Sequence, residues 1–423
     1  MRPGDKVSLR IEKPAAGGWM IARSDGQVIL VSGVVPGELA AVSIDRIGNG
    51  VAYGHAASIE EPSPDRRPAF VDPACGGCLY AHIAYDRQLE IKTQVIADAL
   101  VRIGRIPWAS PIPIAASPDE GYRMRSRLHV RGGRIGFFRE GTHEMCDARA
   151  TRQLLPDTCD IVDELTRRLH ASVISGELEI SENVPATDRV VHLESAEAVA
   201  REDWISATAG LRLTGALFSD VRETARRTAV LVGDPQVTDA LSVEGHEVRL
   251  RRHVQAFFQG NRFLLRDLVA NVVSRIGTGD DVVDLYAGVG LFSLAAAIVR
   301  GAHVTAVEGD RFAAADLAVN ASATAGAVAP VHQSVETFAP RHRRQPAVLI
   351  VDPPRTGMSK EALSGALQMK ARTIVYVSCD VATLARDARR FVDAGYQVES
   401  ITAFDLFPNT PHVETVVVLA RSG

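Results

Sequence analysis

Cysteine is scarce in this chain, with five in 423 residues. An odd handful with no secretory leader excludes a disulfide framework, so each cysteine is judged separately as core filler, ligand or nucleophile. No apolar run approaches the roughly 20 residues that span a bilayer, and the opening MRPGDKVSLRIEKP lacks the apolar stretch of a signal peptide. A cytoplasmic, monomeric protein without membrane contact is expected. Charge of one sign is also lacking. A formal net charge of −4 and a pI near 6.3 exclude nucleic-acid binding through bulk charge and leave only a locally basic surface. What remains is globular in composition, 46% hydrophobic and 23% charged, and too long for one ordinary core.

Three regions follow from the patterning. Residues 1–62 carry short alternating runs such as KVSLRI and QVILV. Turn signals at Gly17-Gly18, Asp25-Gly26, Pro36-Gly37 and Gly48-Asn49-Gly50 separate them, and this spacing predicts a small β-barrel. EEPSPDRRPAF reads as a linker. Residues 63–250 open with CGGC and a helical stretch from His82 to Ile103 whose apolar stripe is Leu89, Ile96, Leu100 and Ile103; mixed signals beyond it predict an α+β domain. In residues 251–423 the runs VVDLY, HVTAVE, AVLIVD, TIVYVS and VETVVVLA alternate with helical stretches. That alternation predicts a parallel sheet covered on both faces.

Several groups are candidates for chemistry, and Gly288, Glu308, Asp352 and Cys379 fall at one edge of that sheet. In DLYAGVG a strand runs into a glycine turn, where Gly288 and Gly290 let a ligand approach the backbone. Glu308 ends the next strand, where a carboxylate can bind both ribose hydroxyls of an adenosine; the third glycine of a dinucleotide fingerprint is replaced by Ser293. Asp352 precedes two prolines that stiffen its turn. Cys379 follows the strand TIVYVS and precedes a helix, whose start favours the thiolate. Glu414 stands at the mouth of the final strand, where a carboxylate can act as a base.

Together FFQGN, DLYAGVG, Val307-Glu308, VDPPR, YVSCDVATLARD and FPNTPHVE, in this order, resemble the RNA uracil-5 methyltransferase family, in particular bacterial 23S rRNA enzymes that begin with a TRAM domain. The resemblance implies a multidomain α/β chain: an N-terminal OB-like TRAM β-barrel, a central α+β domain and a C-terminal Rossmann-like class I methyltransferase domain. It implies S-adenosylmethionine as cofactor, with Gln259, Tyr286, Gly288, Gly290, Glu308, Ser334 and Asp352 near it or the target base. It also implies Cys379 as the nucleophile that adds to uracil carbon 6 and Glu414 as the base that later removes the carbon 5 proton, with Asp352 beside them. RNA is the implied partner, 23S rRNA ahead of the tRNA T-loop. In GYRMRSRLHVRGGR a strand would align Arg123, Arg125, Arg127 and Arg131 for phosphates. Trp19 either stacks on a base or fills the end of the barrel.

Departures from the family pattern set further expectations. Many relatives hold a [4Fe–4S] cluster through Cys-x5-Cys-x2-Cys and one distant cysteine. Here Cys75 and Cys78 match two positions, Ala69 takes the first, and the distant position falls near Thr151. No metal is expected; a rearranged cluster or a zinc site drawing on Cys146 and Cys159 is the alternative. Val381 replaces the usual proline after Cys379, which would loosen that loop. Two rival classes remain, a nicotinamide oxidoreductase using the same glycine turn and a non-catalytic RNA-binding relative.

Overall fold

The computed structural model describes residues 1–170, 174–196, 200–222 and 228–421. In the N-terminal region six strands lie in the spatial order Lys6–Arg10, Leu39–Gly48, Val51–Glu61, Gln27–Ser32, Met20–Ser24 and Lys13–Pro14. Alternate residues Ile29, Val31, Val42 and Ile44 point into one apolar cluster. Asp25-Gly26 and Asn49-Gly50 both take positive φ, as tight two-residue hairpin turns require.

The middle region forms a seven-stranded sheet in the order Met145–Asp147, Arg134–Phe138, Arg125–Arg131, Gly176–Glu182, Arg189–Ser195, Gly215–Asp220 and Thr228–Gly233. Helices Pro156–Leu169 and Ala200–Thr208 cover it, with Trp204 fully buried.

The third sheet has eight strands: Val328–His332, His303–Glu308, Asp281–Leu285, Val348–Val351, Thr373–Ser378, Glu414–Arg421, Tyr396–Phe404 and Ile114–Ala115. Its first five strands are parallel. Alternation sends Val282, Val304, Ile350 and Val375 into one apolar cluster and Val283, Val307, Leu349 and Ile374 into the other, so both faces are covered. The all-parallel expectation fails at the end of the chain. Glu414–Arg421 runs antiparallel to both neighbours, because Tyr396–Phe404 is a further strand that turns straight back into it.

The third sheet also recruits sequence from upstream. Ile114–Ala115 adds an edge strand, helix Tyr85–Arg102 packs on one face, and the hairpin Gln236–Val243/His246–His253 contributes Leu241, Val243, Val248 and Leu250 to the core of the other. The buried side of helix Tyr85–Arg102 comprises Gln88, Ile91, Lys92, Val95, Ile96, Ala99 and Leu100. Leu89 is only half-buried and Ile103 is exposed, so the predicted stripe is displaced. The true stripe includes two polar residues, which hydrophobic periodicity does not mark. Among the described residues no helix is long and apolar enough to cross a membrane.

Candidate active site

Backbone register brings the predicted groups to one edge of the third sheet. Leu285 pairs with Val351 and Val307, and Val351 with Tyr376, so Tyr286, Asp352 and Glu308 emerge side by side. The antiparallel final strand enters at the same edge. The ladder ends at the pair Ser378 and Thr415, and the next residues beyond it are Cys379 and Glu414, near enough for the Glu414 carboxylate to act on the thiol. A wholly parallel sheet would have sent Glu414 to the opposite end.

The thiol lies in a dense electrostatic field. Burial pushes the Cys379 thiol up to about 12, the carboxylates of Glu414 and Asp352 push the same way, and the Arg355 guanidinium opposes them by charge and a hydrogen bond. This corrects the expectation of a thiol lowered by the helix start. The first amides of helix Val381–Asp393 are taken by Asp380, whose Oδ1 accepts from Ala382 at 3.1 Å and Thr383 at 2.8 Å. The same cap anchors the loop in which Val381 replaces proline. Arg355, the last residue of VDPPR, is the functional candidate that sequence reasoning quoted without a role. Its position in the motif was the available signal.

Glu414 is fully buried and held well above the usual carboxylate range, by burial first and then by Asp352. Asp352 is pushed up to about 7 by burial and by Asp284, and it accepts a hydrogen bond from Gln259 Nε2 at 3.3 Å. Asp284, inside the strand and likewise raised to about 7 by burial, accepts from Ser293 Oγ at 2.5 Å. Ser293 therefore serves a buried carboxylate at the place of the third glycine. Asp284 Oδ1 is buried without a partner.

Beside these carboxylates lies the glycine turn. Tyr286, Gly288 and Gly290 all have positive φ. A Cβ on Gly288 would meet open space, which suits a ligand. One on Gly290 would lie 2.6 Å from Leu294 Cδ1 and 2.8 Å from Leu317 Cδ1, so packing demands that glycine. Glu308 accepts from the amides of Gly288 at 2.7 Å and Asp310 at 2.6 Å. Burial and the nearby Glu336 carboxylate raise the Tyr286 phenol. The exposed Ser334 caps a short helix through the Thr337 amide and backs onto Gly309. Its hydroxyl is thus committed to the fold, next to Glu308.

The segment before Glu414 is fastened from upstream. Lys92 Nζ bonds Asp405 Oδ1 at 2.5 Å and the Phe407 carbonyl at 3.1 Å, and both side chains of this ion pair are fully buried. Asn409 accepts from Arg67 and Gln88, and its carbonyl accepts from Tyr80 N. Asn261, in FFQGN, donates to Ser117 and to the Leu406 carbonyl.

The basic strand is less available than the sequence suggests. Arg123 is half-buried and donates to Gln153 at 2.6 Å. Arg125 is ion-paired with Glu179, and the more exposed Arg127 lies 3.3 Å from Glu177. Arg131 is exposed at the strand end. The acids come from the neighbouring strand Gly176–Glu182, which a linear run of arginines cannot reveal.

The cysteines near CGGC do not fit a metal cluster. Cys75 and Cys146, 71 residues apart, form a disulfide, which corrects the expectation of wholly separate thiols. Cys78 is buried with its thiol toward the Thr151 carbonyl at 3.9 Å. Burial pushes Cys78 up to about 12 and Cys159 up to about 11, against the thiolate that metal ligation requires. Position 69 offers alanine, and the Thr151 hydroxyl donates to the Ala148 carbonyl at 2.7 Å.

A sequence profile described as tRNA (Uracil-5-)-methyltransferase matches residues 84–345 and 341–422. The chain belongs to this family. It is 32% identical to a 23S rRNA (uracil(1939)-C(5))-methyltransferase of Halomonas elongata, covering 97% of this chain and 89% of that one. It is 30% identical to the protein of the same description from Methylococcus capsulatus, over 99% and 98%. The fold is that of the Pyrococcus abyssi tRNA (uracil-54, C5)-methyltransferase solved in complex with S-adenosyl-L-homocysteine, with a TM-score of 0.78, 23% identity and coverage of 98% and 99%.

Proposed function

We propose that this member of the uracil-5-methyltransferase family transfers a methyl group from S-adenosylmethionine to carbon 5 of a uridine in 23S rRNA, using Cys379 as a covalent nucleophile. The observation that carries the reading is that Cys379 and Glu414 follow the last pair of one strand ladder, where the charges of Glu414, Arg355 and Asp352 all act on the thiol. Kinship with two 23S rRNA enzymes over nearly the whole chain supports the rRNA substrate. Methylation of the tRNA T-loop is the second reading, favoured by the fold match to a tRNA enzyme. An N-terminal TRAM barrel over residues 1–62, a central domain and a class I catalytic domain are the accompanying assignment. Helix Tyr85–Arg102 and the 236–253 hairpin are spatially part of the catalytic domain.

The cofactor fits the residues present. It supplies an electrophilic methyl group on a positively charged sulfur. Asp284, fully buried, and Asp352, partly exposed, are both raised toward neutrality, and no neighbouring cation among the described residues offsets this. Open space over Gly288 and the carboxylate of Glu308 suit its adenosine end.

The chain's own groups then divide the chemistry. The target base must leave its stack to reach this edge, at a cost of a few kcal/mol. Gln259, already bonded to Asp352, fixes the carboxylate beside it. Arg355 favours loss of the Cys379 proton to solvent, and the thiolate adds to carbon 6, shifting the ring electrons to carbon 5. Once carbon 5 carries the new methyl group, Glu414 removes the proton there. The electrons return to the ring, and the Cys379–carbon 6 bond breaks. Arg127 and Arg131 remain the proposed phosphate contacts of the basic strand.

The reading is tested with 5-fluorouridine-substituted 23S rRNA fragments and tRNA. Fluorine cannot leave as a proton, so a covalent protein–RNA adduct should accumulate on one RNA and disappear in Cys379→Ala. Methyl transfer by wild type with no adduct would eliminate the thiolate route, and an adduct with tRNA alone would select the second reading.

A further inference from the structure

The half-exposed Trp19 follows a turn in which Gly17 and Gly18 both take positive φ. That turn is pressed against the rest of the molecule. A Cβ on Gly18 would lie 2.3 Å from Leu79 Cδ2 and 3.3 Å from Pro411 Cγ, and Pro411 stands three residues before Glu414. The indole is absent from the apolar cluster of the N-terminal sheet. Instead it rests edge-on against Tyr53 at 5.5 Å, and the Arg46 guanidinium sits 3.5 Å over the Tyr53 ring. A braced aromatic with an exposed surface is a platform rather than a plug.

A cavity of about 370 Å³ opens beside it, between the N-terminal sheet and the CGGC loop, with Ser32, His55, Asp72 and Glu140 in its walls. Neither lysine nor arginine lines it, so it suits a base rather than a phosphate. A neighbouring cavity of about 500 Å³ shares Gly33 and Pro73 with it and carries Arg66 and Arg67. Arg67 also reaches Asn409 in the segment before Glu414.

We infer that this seam is a second nucleotide subsite: a base of the substrate strand outside the target uridine stacks on Trp19, with its sugar-phosphate passing over Arg67. Asp72 is already bonded to the Ala74 amide and Arg139, so Glu140 is the wall carboxylate left to accept, which favours a base with an exocyclic amine. The inference rests on the proposal that the substrate is RNA. It adds a recognition point at the mouth of the site, where the N-terminal sheet meets the loop that bears the base.

The test measures RNA-fragment binding and steady-state methylation with wild type, Trp19→Ala and Trp19→Phe. Base–aromatic stacking predicts a roughly 5- to 150-fold rise in Kd and KM for Trp19→Ala, unchanged kcat at saturating RNA, and near wild-type affinity for Trp19→Phe. Of the three tryptophans Trp204 is fully buried, so the fluorescence quenched by RNA in wild type but not in Trp19→Phe reports on Trp19. A Kd within twofold of wild type for a folded Trp19→Ala overturns the subsite. If Trp19→Ala melts at a lower temperature, equal quenching in wild type and Trp19→Phe overturns it instead. Failure of the wild type to bind any RNA would remove the proposed function along with it, whereas normal wild-type methylation with an inert Trp19 removes the subsite alone.

Discussion

The Cys379 thiol is pushed up to about 12 in the ligand-free site, and the sign of each contribution can be tested without RNA. At pH 8 a thiol of that strength is thiolate in about one molecule in 10⁴, against roughly a quarter for an unperturbed cysteine. Alkylation of Cys379 by iodoacetamide should therefore run roughly two-thousandfold slower at pH 8 than that of an unperturbed thiol. It should climb about tenfold per pH unit up to pH 11. Limited access lowers the whole curve without changing its slope, so slope and midpoint separate burial from ionisation. Glu414→Gln removes a carboxylate that raises the thiol and should move the profile to lower pH; Arg355→Gln removes the cation that lowers it and should move the profile up. Peptide mass spectrometry of the Cys379 fragment, with Cys379→Ala as blank, gives the rates. A wild-type midpoint at or below pH 9, or both variants shifting the profile in the same direction, would refute the electrostatic account.

Lys92→Met strands Asp405 as a buried unpaired charge and should cost about 3–5 kcal/mol in chemical denaturation, with Lys92→Met/Asp405→Leu recovering most of it; a single variant as stable as wild type would contradict this. Because Asp284 is raised to about 7 when folded, it binds a proton between about pH 4 and 7 that the unfolded chain has released. Stability from this group falls as pH rises through that window, so wild type should lose on the order of 2–4 kcal/mol relative to Asp284→Asn between pH 4 and 8. A pH-independent difference between the two would remove the argument. Unfolded without reductant, the protein should offer three of its five cysteines to alkylation, and all five after reduction, with no stoichiometric iron or sulfide; five free thiols or a bound cluster would show that Cys75 and Cys146 are not bonded. Val381→Pro, at the first residue of a helix already capped by Asp380, should change stability by less than about 1 kcal/mol and leave kcat intact. A large gain in kcat would mean that the loop was loose after all.

Much of this molecule is local and could be read in order along the chain. Glycine turns follow apolar runs, prolines stiffen the end of a strand, and Asp25-Gly26 and Asn49-Gly50 make hairpins, because each is dictated by a few adjacent residues. Cys379, Asp352 and Glu308 were legible at one edge because the ends of parallel strands converge there, whereas Glu414 begins its strand and joins them only because that strand runs antiparallel. What required the third dimension is what distant segments do to one another. Glu177 and Glu179 neutralise arginines some fifty residues away, Cys146 closes on Cys75, and Asp380 takes the amides that would otherwise have favoured a Cys379 thiolate. Lys92 reads as a solvated helical lysine until Asp405, 313 residues later, lies against it. Sequence determines which groups stand at strand ends, since turn chemistry is local, and the direction of the final strand decides that Glu414 shares their edge. The charge each group carries there is set by burial and by its neighbours, and only the packed chain assigns those.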